Sequence, residues 1–480
     1  MTDQQIKANL DQHNKIEELY NLYKQGEKEL GFFGKAGVGK THSAKTLMHM
    51  IKENSKGSFK IVGAAISHSA KNVLKQSLGD VEVLTVASLL QLKKVIDPLT
   101  GDFKFLPDNT YKMVNGKLKK TPPPITYADL IIIDECSQIN TETKKLIDEY
   151  RKSTSVIIYL GDWHQTPPVE EDKNTHDKDS STFNVPNVHL NIPFRYEGEL
   201  EELADAIALE IDKFNETGDC DFKFLLEFVN KESSSYKFYR NETEFLDKAI
   251  ECFKSSSELK HCVLVCYRNE TSFNDNLRLK EAILNTSELY TINEKVVAKS
   301  SYFENGEIII QNNSLYVIKN KVPFKYAFVS TKDGKLKDYF TMQSQDTERS
   351  INSQFPNDVV VFIETYHLQL ENMKGEIIES DVPVLKVLND KKFAYFKTLL
   401  HSRCKKVKDG WKDYHEINDH FTPFASAYVV NTYVVQGDTY ENVFVNFRDI
   451  LTVKPISRKE KLQSLYTAVT RAKTHVSILV

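Results

Sequence analysis

The string Gly34-Lys35-Ala36-Gly37-Val38-Gly39-Lys40-Thr41 restricts what this chain can become more than any other stretch, because it fits G-x-x-x-x-G-K-[ST]. Glycines at these places let successive backbone N–H groups turn inward around a phosphate with no Cβ in the way. Lys40 brings a positive charge to the β and γ oxygens of a nucleoside triphosphate, and the Thr41 hydroxyl is suited to ligate Mg²⁺. Before the loop, Leu30-Gly31-Phe32-Phe33 reads as a short buried strand; after it, Ala44, Leu47, Met48 and Ile51 recur at helical spacing. Strand, loop and helix therefore follow in the order a phosphate-binding loop needs. Gly34, Ala36, Gly37, Val38, Gly39, Lys40, Thr41 and His42 are the expected contacts to ATP.

With 480 residues and 40% hydrophobic content, the chain can bury large cores, and about three or four domains or subdomains are expected. No apolar run approaches the length that crosses a bilayer, and the polar start lacks the apolar segment of a secretory signal, so a cytoplasmic, membrane-free protein is expected. The six cysteines form no C-x-x-C pair and no cluster with histidine at zinc spacing, which suits packing thiols in a reduced compartment and indicates no metal site beyond nucleotide-bound Mg²⁺. The net charge of −4 means that any nucleic-acid contact has to come from local basic channels.

Along the first third, short continuously apolar runs alternate with helical or loop segments: 60–65, 130–133 and 156–160. Continuous apolar character suits strands buried on both faces, as in a parallel sheet covered by helices. A polar run over 170–182 reads as a surface connection, after which 262–266, 442–445 and 476–480 supply strands for a second α/β core. Between 300 and 421 the texture changes to short β-like runs with a lysine-rich stretch over 386–408, read as a β-rich insertion in the second core. A smaller insertion over 97–124 holds Asn115-Gly116 between strand-like flanks, a strong hairpin signal. Its lysines interleave with Phe103, Phe105 and Tyr111, a composition that suits either a nucleic-acid contact or a solvated hairpin.

Asp134-Glu135 closes the run ending at Ile133, at the C-terminal end of a parallel strand, where ligands bind in such sheets. Asp134 can hold hydrated Mg²⁺, and Glu135 can orient and deprotonate an attacking water. The next apolar strand ends in Gly161-Asp162-Trp163-His164-Gln165-Thr166-Pro167-Pro168, from which Gln165 can reach a γ-phosphate.

In this order the motifs resemble superfamily 1 helicases, and Gln-x-Pro-Pro is similar to the 5′→3′ branch with its RecD-like, Pif1-like and phage Dda-like members, the last being nearest over almost the whole chain. The resemblance extends to Arg195, in the position of the motif IV arginine, and to Arg471 in Val469-Thr470-Arg471-Ala472, in that of motif VI; it implies that both act as arginine fingers when the cores close. Ala65 to Ala70, with Ser67 and His68, stands where motif Ia lies, Thr85 begins the motif Ib segment, and Ala427 to Gly437 matches motif V through Gln436-Gly437. Ile66 replaces a proline, Ala87 a histidine, and Tyr433-Val434 a His-Lys pair. Asn269 and Asn431 join Ser67, His68, Thr85, Tyr433 and Gln436 as expected nucleic-acid contacts, with Tyr433 either stacking on a base or serving as a core residue. Gln12, at the family's spacing from Lys40, is preferred as the adenine-reading residue, with Gln5 the alternative.

The resemblance implies an α/β fold of two RecA-like P-loop cores: 1–96 with 125–185, and 186–300 with 422–480. A β-hairpin insertion at 97–124 would serve as the wedge, and 301–421 would form an SH3-like β-rich insertion. It also implies an ATP- and Mg²⁺-dependent 5′→3′ DNA helicase acting on single-stranded DNA and forks. A monomer in the host cytoplasm during phage replication or recombination, working beside single-strand-binding or replisome proteins, is the matching expectation. An RNA helicase or remodeller of the same superfamily, or a nucleotide-dependent switch that does not translocate, remain the rival readings.

Overall fold

The computed structural model describes residues 3–480 apart from 36, 56, 109–110, 115–116, 121, 169–178, 193–197, 257, 259, 305–306, 343–347, 373–374, 388–389, 405 and 408–409. The chain divides into two compact units: Met1–Lys93, Leu106–Ser272 and Val430–Val480 make one, and Lys94–Phe105 with Phe273–Val429 the other.

The first unit contains two α/β cores. In the first, six strands lie in the order Asn187–His189, Glu29–Phe33, Val156–Gly161, Leu130–Asp134, Ile61–Ala65, Glu82–Thr85, and every pairing is parallel. Successive residues of a strand feed opposite faces: Leu130 and Ile132 pack with Leu47, Met48 and Ile51 of the helix Lys40–Glu53, whereas Ile131 and Ile133 pack with Ile147 and Tyr159. Both faces are therefore dry, which is why these strands read as unbroken apolar runs. The strand Asn187–His189 lies inside this sheet, with Gly31 opposite Asn187 and Leu190 N–H donating to Phe33 O. The first core thus extends past the boundary read at 185/186, because this short edge strand has too few residues to announce itself.

The second core has the strand order Tyr236–Tyr239, Ala472–Leu479, Tyr440–Asn446, Cys262–Cys266, Val429–Asn431. The helices Glu199–Thr217 and Arg458–Val469 pack together within the same unit.

In the second unit an antiparallel sheet runs Val382–Leu385, Val359–Glu371, Leu315–Ser330, Lys295–Ala298, Phe424–Ser426, with Leu336–Thr341 paired to Leu315–Ser330. It takes in strands on both sides of the 301–421 range, since Val296 pairs with both Tyr316 and Ser426. The segment read as one hairpin at 97–124 enters two separate strand pairs, Phe103–Pro107 with the preceding strand Leu92–Ile96, and Tyr111–Val114 with Lys117–Lys120. In the latter Val114 lies opposite Lys117, as the Asn-Gly signal predicts; the turn residues 115–116 lie outside the described residues. The turn joining the former pair docks on the helix Gly410–Asn418. Trp411 Nε1 donates to Leu99 O at 3.4 Å, and His415 Nε2 lies 3.0 Å from Gly101 O. Lys94 Nζ donates to Asp419 at 2.6 Å and sits 3.1 Å from His415 Nδ1, so Nδ1 accepts there and Nε2 is the donor facing Gly101 O.

Among the described residues no helix is long and apolar enough to cross a membrane.

Candidate functional site

The phosphate-binding loop joins the strand Glu29–Phe33 to the helix Lys40–Glu53 and is built on left-handed glycines: φ is 80° at Gly37 and 87° at Gly39. A Cβ at Gly34 would run into Leu190 O, and one at Gly39 into the Gln12 amide, so both positions demand glycine sterically. Gly39 is the N-cap of its helix and no side chain caps that helix start, which leaves its first backbone N–H groups available to an anion. Lys40 Nζ donates to the carbonyls of Gly34 at 2.7 Å and Lys35 at 2.8 Å, holding the ammonium inside the loop. Lys35 itself pairs with Asp205 at 2.5 Å. Thr41 sits half-buried in the first turn, His42 is exposed, and Ala36 lies outside the described residues. Buried Gln12 donates from Nε2 to Val38 O at 2.8 Å, placing its amide directly against the loop; for Gln5 no side-chain environment is described.

Asp134 ends its strand, and Glu135 follows in a left-handed conformation with φ 53°. That region costs a non-glycine residue about 1–2 kcal/mol, and strain of this kind concentrates at functional sites. Burial and the adjacent Glu135 carboxylate raise Asp134 to about 7, against the Glu135 N–H that it accepts at 2.9 Å and the Lys40 charge. Two carboxylates, a lysine and a threonine hydroxyl are a hard-oxygen and cation set that suits a triphosphate with Mg²⁺.

The second core supplies the other wall. Gln436, 3% exposed, donates from Nε2 to Gln165 Oε1 at 2.9 Å and to Ser137 Oγ at 3.3 Å. Its Oε1 accepts from Thr166 Oγ1 at 2.8 Å and from Gln138 Nε2. Thr166 N–H donates to Thr467 Oγ1 at 3.0 Å. Arg471, 5% exposed, rests its Nε on Thr467 O at 3.2 Å and its Nη2 on Thr470 Oγ1 at 3.4 Å. Arg195 lies outside the described residues.

Ser67, Thr85 and Asn431 prove to be N-caps, accepting from Ala70 N, Ser88 N and Val434 N. His68 opens its helix, and burial, then Lys71, lowers it to about 4, so it is neutral at physiological pH. Gly437 has φ 83°, and a Cβ there would touch Ser67 Oγ and Ala70; beside it Ser69 Oγ donates to Asp438. Asn431 Nδ2 donates to Asn269 Oδ1 at 3.1 Å. Tyr433 is half-buried, its hydroxyl 3.5 Å from Glu460 Oε1 and its ring edge-on to Tyr267 at 6.5 Å. Ser137, Gln138, Thr166 and Thr467, whose partners come from the other core, are not among the residues that the motifs pick out. Nor do the motifs give a role to His164, which stands in the same string as Gln165.

Residues 9–213 match the family described as an AAA domain. No curated protein matches the chain. Among solved structures, the chain is similar to Pif1 helicases in a complex described as DNA unwinding at forked duplex by two coordinating Pif1 helicases, with 14% identity over 100% of this chain and 91% of that one and a TM-score of 0.44. It is also similar to the Bacteroides Pif1 helicase with ADP-AlF3 and single-stranded DNA (15%, 96% and 91%, 0.41) and to the Candida albicans Pif1 helicase (13%, 97% and 94%, 0.40).

Proposed function

We propose that the protein is an ATP-dependent DNA helicase that moves 5′→3′ along one strand and separates the duplex ahead of it. One observation carries the reading: Gln436 ties Ser137, Gln138, Gln165 and Thr166 of the first core to the segment that resembles a strand-binding motif in the second. A change of phosphate state at the strand ends is then felt where a nucleic-acid strand would lie.

In this reading the loop N–H groups and Lys40 hold the phosphates, and Gln12 faces the adenine. Thr41 and Asp134 would hold Mg²⁺, which supplies charge neutralisation on the phosphate oxygens. Glu135 takes the proton of the attacking water, Gln165 orients it, and Arg471 and Arg195 counter the charge that develops as the cores close. Ser67 and His68 on one core and Asn269, Asn431 and Tyr433 on the other would grip the strand alternately, with Thr85 and Gln436, 5% and 3% exposed and already hydrogen-bonded inside the protein, supporting that surface from behind, and the 97–124 insertion would supply the wedge. A monomer in the host cytoplasm during phage replication or recombination, alongside single-strand-binding proteins, fits the same reading.

The test compares ATPase stimulation by matched DNA and RNA strands, then unwinding of 5′-tailed and 3′-tailed duplexes. Stimulation by DNA and unwinding of the 5′-tailed substrate alone are expected. Equal rates with and without nucleic acid would leave a switch ATPase, and unwinding only from a 3′ tail would refute the polarity.

A further inference from the structure

His164 is buried at the seam between the two cores of the first unit, 2% exposed, and both of its ring nitrogens meet carboxylate oxygens. Nδ1 lies 2.9 Å from Asp162 Oδ1 on the same loop, and Nε2 lies 3.0 Å from Asp212 Oδ1 on the helix Glu199–Thr217. An ionised carboxylate only accepts, and a neutral imidazole has a single donor, so two such contacts are satisfied together only by the imidazolium. Tyr466 OH donates to the other Asp162 oxygen, Oδ2, at 3.0 Å, and Trp163 Nε1 donates at 3.0 Å to the same Asp212 Oδ1 that meets His164. The backbone N–H of His164 adds a bond to Asp162 Oδ1 at 3.0 Å.

The loop that carries His164 is fastened to the helix Arg458–Val469 at further points, since Gln463 Nε2 donates to Trp163 O at 2.8 Å and Thr467 Oγ1 accepts from Thr166 N–H. Gln165 follows His164 directly, and Arg471 lies just beyond that helix.

We infer that His164, as an imidazolium clamped between Asp162 and Asp212, is a positioning residue that fixes the Gln165 loop of the first core against the helices of the second and so sets the seam for hydrolysis. This rests on the ATPase reading above. The groups around it favour the cation. Burial opposes the charge, but the bonds to Asp162 and Asp212 outweigh it and raise His164 to about 9, while both aspartates are held below their ordinary range. His189, on the edge strand, is lowered by burial and by Lys15, and so adds no charge of its own at neutral pH. Lys35 acts on Asp212 and Lys40 on Asp162, and Arg471 and Asp205 act on Tyr466 in opposite directions. Above about 9 the clamp loses its cation, and the buried Asp162 carboxylate and the partly exposed Asp212 carboxylate then share a ring with a single donor.

The experiment measures single-strand-stimulated kcat and the KM for ATP from pH 6 to 10 for the wild type and for His164→Gln, together with an NMR titration of the wild-type imidazole. His164→Gln should lower kcat by about tenfold to a hundredfold, the scale of a misplaced reacting group, with KM nearly unchanged and the alkaline fall of the wild type gone. The imidazole should be protonated at pH 7.5. A wild-type kcat and pH profile in His164→Gln, or a neutral imidazole at pH 7.5, overturns the inference alone; the titration decides even if the variant does not fold. A wild type without ATPase overturns the proposed function, and this inference with it.

Discussion

Replacing Gly101 by alanine should cut the docked turn loose from its seat. Gly101 has φ 79°, and a Cβ built there would overlap the Trp411 ring rather than a yielding side-chain tip. The left-handed backbone costs an alanine about 1–2 kcal/mol and the displaced indole about 1–3 kcal/mol more, for a total of about 2–5 kcal/mol. That sum is large beside the bonds it disturbs: Trp411 Nε1 to Leu99 O at 3.4 Å and His415 Nε2 to Gly101 O at 3.0 Å. Asp97, whose Oδ1 accepts from Leu99 N at 2.7 Å and Thr100 N at 3.1 Å, keeps the turn formed in either case. The seat should therefore open while the turn persists. Urea unfolding followed by tryptophan emission gives the stability loss, and unwinding of a 5′-tailed duplex beside single-strand-stimulated ATPase gives the consequence: ATPase kept, unwinding reduced. A double-mutant cycle with Trp411→Ala isolates the clash, because Trp411→Ala should recover the packing part of the loss and leave the backbone part. A loss under about 0.5 kcal/mol in Gly101→Ala, or one that Trp411→Ala does not reduce, would refute the reasoning.

Three further outcomes follow from the site. Lys40→Ala should abolish turnover with weakened ATP binding, while Glu135→Gln should bind ATP and fail to hydrolyse it, since an amide cannot take the water's proton; nucleotide titration beside ATPase rates separates them, and hydrolysis at the wild-type rate by Glu135→Gln removes that residue from its role. Asp134 is raised from 3.8 to about 7, so its contribution favours folding below 3.8 and is lost as pH rises through about 7. Asp134→Asn should accordingly stabilise the nucleotide-free protein by about 2–4 kcal/mol at pH 8 and by less at pH 5, while ending hydrolysis; equal melting gains at the two pH values would contradict the raised pKa. Tyr433→Phe should leave strand affinity nearly intact and Tyr433→Ala should lose about 1–3 kcal/mol of it if the ring stacks on a base. Lost thermal stability with unchanged affinity, by melting and fluorescence anisotropy, would instead assign Tyr433 to its packing against Tyr267 and Glu460.

What the sequence by itself determined is what a short contiguous string can encode. Glycines at 34, 37 and 39 specify a left-handed loop, and runs such as Leu130 to Ile133 specify strands dry on both faces, because backbone conformation and two-sided burial are local demands on consecutive residues. The carboxylates of Asp134 and Glu135 were legible for the same reason, since a strand's C-terminal end is their whole address. Gln12 was legible only through a family spacing, and the structure places it against Val38 O. The tertiary structure alone decided which residues far apart in the chain meet. Gln436 and Gln165 are 271 positions apart, Tyr466 and Asp162 are 304, and Trp411 and Leu99 are 312. No periodicity carries such pairings, because a side-chain amide or imidazole satisfies its hydrogen bonds with whatever partner the packed cores present. For His164 this meant that one residue, unremarkable beside Gln165 in the chain, became a buried cation once Asp212 arrived from a helix of the other core.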